Sequence, residues 1–125
     1  MCVKAHALCC YTLKITSNKK VFTEEYREPL TDRITSIAID IHILCWTANN
    51  IIVNSAEDLR DRSELQRRAV IQCTNLLSLI DIAKSMFHLS TKRVVYWGGL
   101  ALETRRLISA WRESDRKRYS AKFGA

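Results

Sequence analysis

Apolar residues recur along this chain in alternating steps of four and three. From Leu30 they fall at Ile34, Ile37, Ile41, Leu44, Ala48 and Ile51, a spacing that lines one side of a helix and that a strand, with its period of two, does not produce. A second series runs through Ala69, Cys73, Leu76, Ile80, Ala83 and Phe87, with Leu65 just upstream, and a third through Val94, Trp97, Ala101, Thr104, Ile108 and Trp111. A weaker series of Ala5, Leu8, Thr12 and Ile15 predicts a first helix, although the β-branched Thr and Ile there leave a strand possible. Seams of this alternation pack at shallow crossing angles. The pattern therefore predicts an all-α fold, an antiparallel up-down four-helix bundle formed by residues 1–125 as a single domain with a short basic C-terminal tail.

Local chemistry places the boundaries. Pro29 suits the first turn of the second helix, where its missing N–H donor is not needed. Asn54-Ser55-Ala56-Glu57-Asp58 reads as a junction with a capping box between Ser55 and Asp58. The third helix is expected to end at His88-Leu89-Ser90-Thr91, with Ser90 or Thr91 capping the last one. Gly98-Gly99 lies inside that last helix, where glycine is unfavourable, and close backbone approach is the expected reason for it. Trp46, Trp97 and Trp111 lie on or beside the apolar series and are read as core.

Composition narrows the function classes. With only 3 Gly and 1 Pro in 125 residues, the chain lacks the turn residues that sandwiches and barrels require. A hydrophobic fraction of 47% beside 26% charged residues suits a packed core, not a disordered segment. No apolar run approaches the roughly 18 residues of a membrane-spanning helix, so no membrane is expected among the partners. The N-terminus shows no clean cleavage pattern, and no secretory leader is expected. The 5 cysteines are odd in number and lack C-x-x-C spacing, which argues against a disulfide framework and a zinc site and favours a reducing, cytoplasmic compartment. Cys45 and Cys73 are read as small apolar fillers.

Catalytic signatures are missing. His6, His42 and His88 are spread over three helices and are read as lacking ligand partners on their own helices, so no metal site is expected. There is no phosphate-binding Gly-rich loop and no G-x-S-x-G elbow. Asp40, Asp81 and Glu103 lack the Glu-x-x-His pairing of di-iron bundles and are read as partners of arginines or water. The chain is expected not to be an enzyme and to need no cofactor.

Charge points to the partner. The formal net charge is +7, and Arg105, Arg106, Arg112, Arg116, Lys117, Arg118 and Lys122 face only Glu113 and Asp115 within the same segment. Arg105, Arg112 and Arg116 fall on one helical flank, where a phosphate backbone could track them. Lys92 and Arg93, Arg105 and Arg106, Arg112, and Arg116 to Arg118 are the candidate nucleic-acid-binding residues. The plain alternative is a solvated face whose cations favour the helix C-terminus.

Several short motifs carry a resemblance. These are Glu25-Tyr26-Arg27-Glu28-Pro29-Leu30, Ala48-Asn49, Gln66-Arg67-Arg68-Ala69, Lys92-Arg93-Val94-Val95-Tyr96-Trp97 and, above all, Trp111-Arg112-Glu113-Ser114-Asp115-Arg116-Lys117-Arg118-Tyr119. Over Phe22 to Tyr119 the chain resembles the accessory variability determinant proteins of diversity-generating retroelements, a four-helix family related to proteins encoded by ribosomal RNA intervening sequences. The last motif is similar to their Trp-x-x-Ser-Asp-x-Lys-Arg ending. The resemblance implies a homopentamer whose basic surface binds the element's reverse transcriptase and template-repeat RNA in support of mutagenic retrohoming. The alternative is an oligomeric four-helix scaffold without nucleic-acid binding. Two positions depart from the family pattern: Ser109-Ala110-Trp111 stands where some members have Gly-Gly-Trp, and Ile80-Asp81-Ile82 stands where an Arg is common.

Overall fold

The computed structural model describes residues 2–123. Four helices account for most of them: α1 (Val3–Thr16), α2 (Asp32–Asn49), α3 (Ala56–Phe87) and α4 (Thr91–Phe123). No strand occurs among the described residues. Helix α1 packs on α2 and α4, and α3 packs on the same two, so the helices close an antiparallel square. The all-α bundle and its up-down order are those that the apolar spacing predicts, and the first segment is a helix with Ala5, Leu8, Thr12 and Ile15 all buried.

The same spacing holds in the long helices. Ala69, Cys73, Leu76, Ile80 and Ala83 of α3 are buried, as are Trp97, Ala101, Thr104, Ile108 and Trp111 of α4. Trp97 is the largest fully buried side chain. Its indole N–H donates to Thr12 Oγ1 at 3.0 Å, and the Thr12 hydroxyl donates in turn to the Leu8 carbonyl at 2.7 Å. The indole thus brings no unpaired donor into the core. Phe22 packs on both Phe87 and Trp97, with ring centroids 4.7 and 6.2 Å apart. Aromatic rings therefore concentrate at the end of the bundle where α3 turns into α4.

The boundaries follow from capping. Ser55 Oγ accepts from the Asp58 amide at 3.1 Å, while the Asp58 carboxylate accepts from the Asn54 amide at 3.0 Å, one residue earlier than a reciprocal box would place it. Helix α3 ends on His88, which lies in the left-handed region at φ 53°. Ser90 then accepts from the Arg93 amide at 3.2 Å and starts α4. Pro29 sits in a single π turn, Arg27–Thr31, that leads into α2, not in α2 itself. A guanidinium nitrogen of Arg27 donates to the Thr16 carbonyl at 3.2 Å, which satisfies an orphan acceptor at the end of α1.

Two core expectations are corrected. Trp46 is 58% exposed, whereas Trp97 and Trp111 are buried. The reason is helix length: α1 has 14 residues and α4 has 33, so α1 runs for only about 21 of the roughly 50 Å that α4 spans. His6 of α1 lies beside His42 of α2, so little of α1 remains to reach Trp46 one turn further on. The second correction concerns Gly98-Gly99. A Cβ on Gly98 would meet only Leu77 Cδ2 at 3.9 Å, and one on Gly99 would meet nothing within 4 Å. No backbone approaches there. Gly99→Ala is therefore expected to stabilise the protein by about 1 kcal/mol through helix propensity alone, measured by urea denaturation.

Candidate nucleic-acid interface

The basic segment expected as a tail is the last third of α4, which continues to Phe123. Its partner is the start of α3, running the other way, with the Asn50–Ser55 link beside them. Four contacts hold this end together. Arg62 Nε lies 2.9 Å from Asp115 Oδ2, and Gln66 Nε2 donates to that oxygen at 2.8 Å. The Arg62 guanidinium also sits 5.0 Å from the Trp111 ring centroid and donates to the Ile51 carbonyl at 3.3 Å. Asp115 is only 2% exposed, so Ser114-Asp115 of the final motif contributes a buried anchor, not a surface charge.

With Asp115 neutralised internally by Arg62, the arginines outside it define the surface. Arg112 Nε donates to Ser63 Oγ at 2.9 Å, and Arg105 donates to Thr74 Oγ1 at 3.2 Å. Hydroxyls, not carboxylates, orient both guanidinium groups. Arg116 is bonded to Glu113 at 2.5 Å and Arg106 to Glu103 at 2.6 Å. These hydrogen bonds, with the charge behind them, hold both carboxyls below the usual carboxylate range. Such pairs stand in water and constrain their arginines weakly, so a phosphate can take the place of the carboxylate. Arg118 lies over the Tyr119 ring at 5.9 Å, within cation–π range, so a cation and an aromatic face stand side by side there.

A groove of about 340 Å³ runs between α3 and α4 here, lined by Arg67, Ser63, Arg112 and Arg116 among others. An adjoining hollow of about 460 Å³ adds Arg60. Arg60 and Arg67 were not among the sequence candidates. Their spacing of seven residues places them on one face of α3, and that signal was available in the sequence. Arg67 is bonded to Glu64, in the same manner as the α4 pairs.

The structure divides the candidates. Arg105, Arg112, Arg116, Lys117 and Arg118 belong to the second half of α4, and Arg106 lies on its Glu103 side. Lys92 and Arg93 sit in the first turn, about 28 Å from Arg112 at the helical rise. Arg93 lines a separate hollow with Tyr11, Lys14 and Asn18. The eight residues therefore form no single patch. The carboxylates considered for catalysis do not converge: Glu103 pairs with Arg106, and Asp40 borders a shallow groove with Arg68. Cys45 and Cys73 are buried, and desolvation pushes both thiols up to about 12, in keeping with their role as apolar fillers.

One reading of the histidines is corrected. Cys10 follows His6 by four residues, and its Sγ lies 3.9 Å from Nδ1 and 3.8 Å from Nε2 of that ring. His6 therefore does have a ligand-type partner on its own helix. No helix is long and apolar enough to cross a membrane among the described residues. No protein family, curated protein or solved structure was found to match this chain.

Proposed function

We propose that this protein is a non-catalytic accessory factor that binds RNA and a polymerase partner, and that it serves a diversity-generating retroelement by holding the template-repeat transcript for the reverse transcriptase. The observation that carries the reading is the set of guanidinium groups along the second half of α4. Arg105 and Arg112 are oriented by hydroxyls, and Arg118 lies within cation–π range of the Tyr119 ring. Side chains so arranged reach phosphate and base without a buried carboxylate to compete. The resemblance of the Trp111–Tyr119 segment supplies the retroelement context.

Oligomerisation belongs to the same proposal. Ile39, Ile43 and Trp46 form a row on α2 that is 37, 52 and 58% exposed. An apolar row of this kind suits burial against another copy of the chain, and the resemblance implies a homopentamer. Light scattering of the purified protein checks the number of copies. A scaffold without RNA binding is the competing reading, which the same row favours.

Salt dependence separates the two. RNA affinity should fall linearly with log salt, and changing Arg112, Arg116 and Arg118 together to Ala should reduce the slope by about two, at roughly 0.7 per phosphate contact on a single strand. An unchanged slope in that variant, with the fold intact by circular dichroism, removes the α4 end from the interface. Absence of RNA binding by the unmodified protein leaves the scaffold reading.

A further inference from the structure

Two rows of exposed apolar side chains stand on opposite corners of the bundle. Helices α1 and α3 each pack on both α2 and α4, so the outer faces of α2 and α4 point away from each other and neither covers the other within one chain. On α2, Ile39, Ile43 and Trp46 follow one another in steps of four and three, and Asp32, seven residues before Ile39, begins the same row. On α4, Val95 and Leu102 are 66 and 48% exposed on either side of Gly99, and Lys92 and Arg106 bound the row they form. No neighbouring helix comes within 4 Å of a Cβ placed on Gly99, so this row has a shallow seat at its middle.

The heights of the two rows can be compared through α1, which runs antiparallel to both helices. His6 lies beside His42 of α2, with ring centroids 5.5 Å apart, and Tyr11 lies against Tyr96 and Trp97 of α4, at 4.9 and 6.4 Å. Tyr11 is five residues beyond His6, so the α2 position level with it is five residues before His42, at Ile37. Ile37 therefore stands level with Tyr96 and Trp97, and positions on α2 and α4 match in height when their numbers differ by 59 or 60. At a difference of 60, Asp32 is level with Lys92, Ile39 with Gly99 and Trp46 with Arg106. A carboxylate thus matches an ammonium, a branched side chain matches a position without one, and an indole matches a guanidinium. Among the described residues neither Asp32 nor Lys92 forms an ion pair within the chain.

We propose that the outer face of α2 in one copy docks on the outer face of α4 in the next, head to tail, with the two helices parallel. Copies related by rotation about an axis parallel to the bundle stand at one height, and that arrangement imposes this register. Ile39 enters the seat at Gly99, Ile43 packs on Leu102, Asp32 pairs with Lys92, and Trp46 covers Arg106. The pairing rests on the reading that a second copy covers the α2 row, and it supplies the surface that does so. Arg112 turns to Ser63 on the α3 side of α4, so the arginine groove lies outside this contact.

Light scattering of the full chain and of two single-face variants tests the pairing. Ile43→Asp spoils only the α2 face and Leu102→Asp only the α4 face, and each should weaken assembly by at least about tenfold. An equimolar mixture of the two variants should form a complex of two chains, because the intact α2 face of Leu102→Asp fits the intact α4 face of Ile43→Asp. That rescue also shows that both variants are folded. Asp32→Lys should weaken assembly about fivefold, and combining it with Lys92→Asp should restore it. The pairing is overturned by unchanged assembly of Leu102→Asp, as a two-fold contact between α2 faces would give, by a mixture that stays monomeric, or by a charge swap no tighter than Asp32→Lys alone. A monomeric unmodified chain removes the oligomer itself, and the pairing with it.

Discussion

Asp115→Ala is expected to destabilise the protein by about 3–5 kcal/mol, enough to unfold a marginally stable domain. The carboxylate is paired with Arg62, whose Nε lies 2.9 Å away, and accepts from Gln66 at 2.8 Å, in a position where its own side chain is 3% exposed. Removing it strands a guanidinium that is itself 12% exposed and leaves the Gln66 amide without an acceptor. The damage extends further, because Arg62 also caps the Ile51 carbonyl and covers Trp111. Asp115→Asn retains an acceptor and should lose less. Urea denaturation of the two variants measures the difference. Equal stability of Asp115→Ala and the unmodified protein would show that the pair contributes nothing.

Trp97→Ala should have an effect of similar size at the opposite end, about 3–5 kcal/mol. The indole is fully buried against α1 and the link that follows it, and touches the Phe22 and Tyr11 rings, 6.2 and 6.4 Å away between centroids. Truncation leaves a cavity among rings that cannot all collapse into it. Trp97→Phe separates packing from polarity: it removes the donor to Thr12 Oγ1 but fills much of the space, and Thr12 keeps its own bond to Leu8. A loss of about 1–2 kcal/mol is expected for that change. Near-ultraviolet circular dichroism alongside denaturation checks whether the aromatic packing survives.

The bundle was legible because its evidence is periodic. Each apolar series reports the inner side of one helix, and every position from Ala69 to Ala83 and from Trp97 to Trp111 in those series is buried. Ser55 and Asp58 disclosed the start of α3 for a different reason: capping is a contact between near neighbours in the chain, which spacing records. What depends on the length of a distant helix was not legible. Trp46 continues an apolar row yet stays exposed, because α1 is too short to cover it. The glycine pair offered no sign of what faces it, and the space beside Gly99 is open.

The candidate site was legible in part, and the same distinction explains why. The cations of α4 are a local feature, and they were found. Their division into two groups follows from the rise of a continuous helix, and the addition of Arg60 and Arg67 follows from the antiparallel register of α3 on α4. Asp115 counted against the positive charge in the sequence, but it lies inside, already matched by Arg62. His6 and Cys10 are four residues apart and were within reach of sequence reading, while the closeness of His6 to His42 required the packing of α1 on α2.

Unequal helix lengths give the molecule a graded rigidity. Where all four helices run side by side, interlocked rings leave little room for local opening; beyond the start of α1, the final turns of α4 have fewer neighbours and depend chiefly on the Arg62–Asp115 anchor. Backbone amides past Asp115 should consequently exchange their hydrogens well before those around Trp97. A helix able to loosen its last turns independently can adjust to an irregular polymer without disturbing the rest of the molecule.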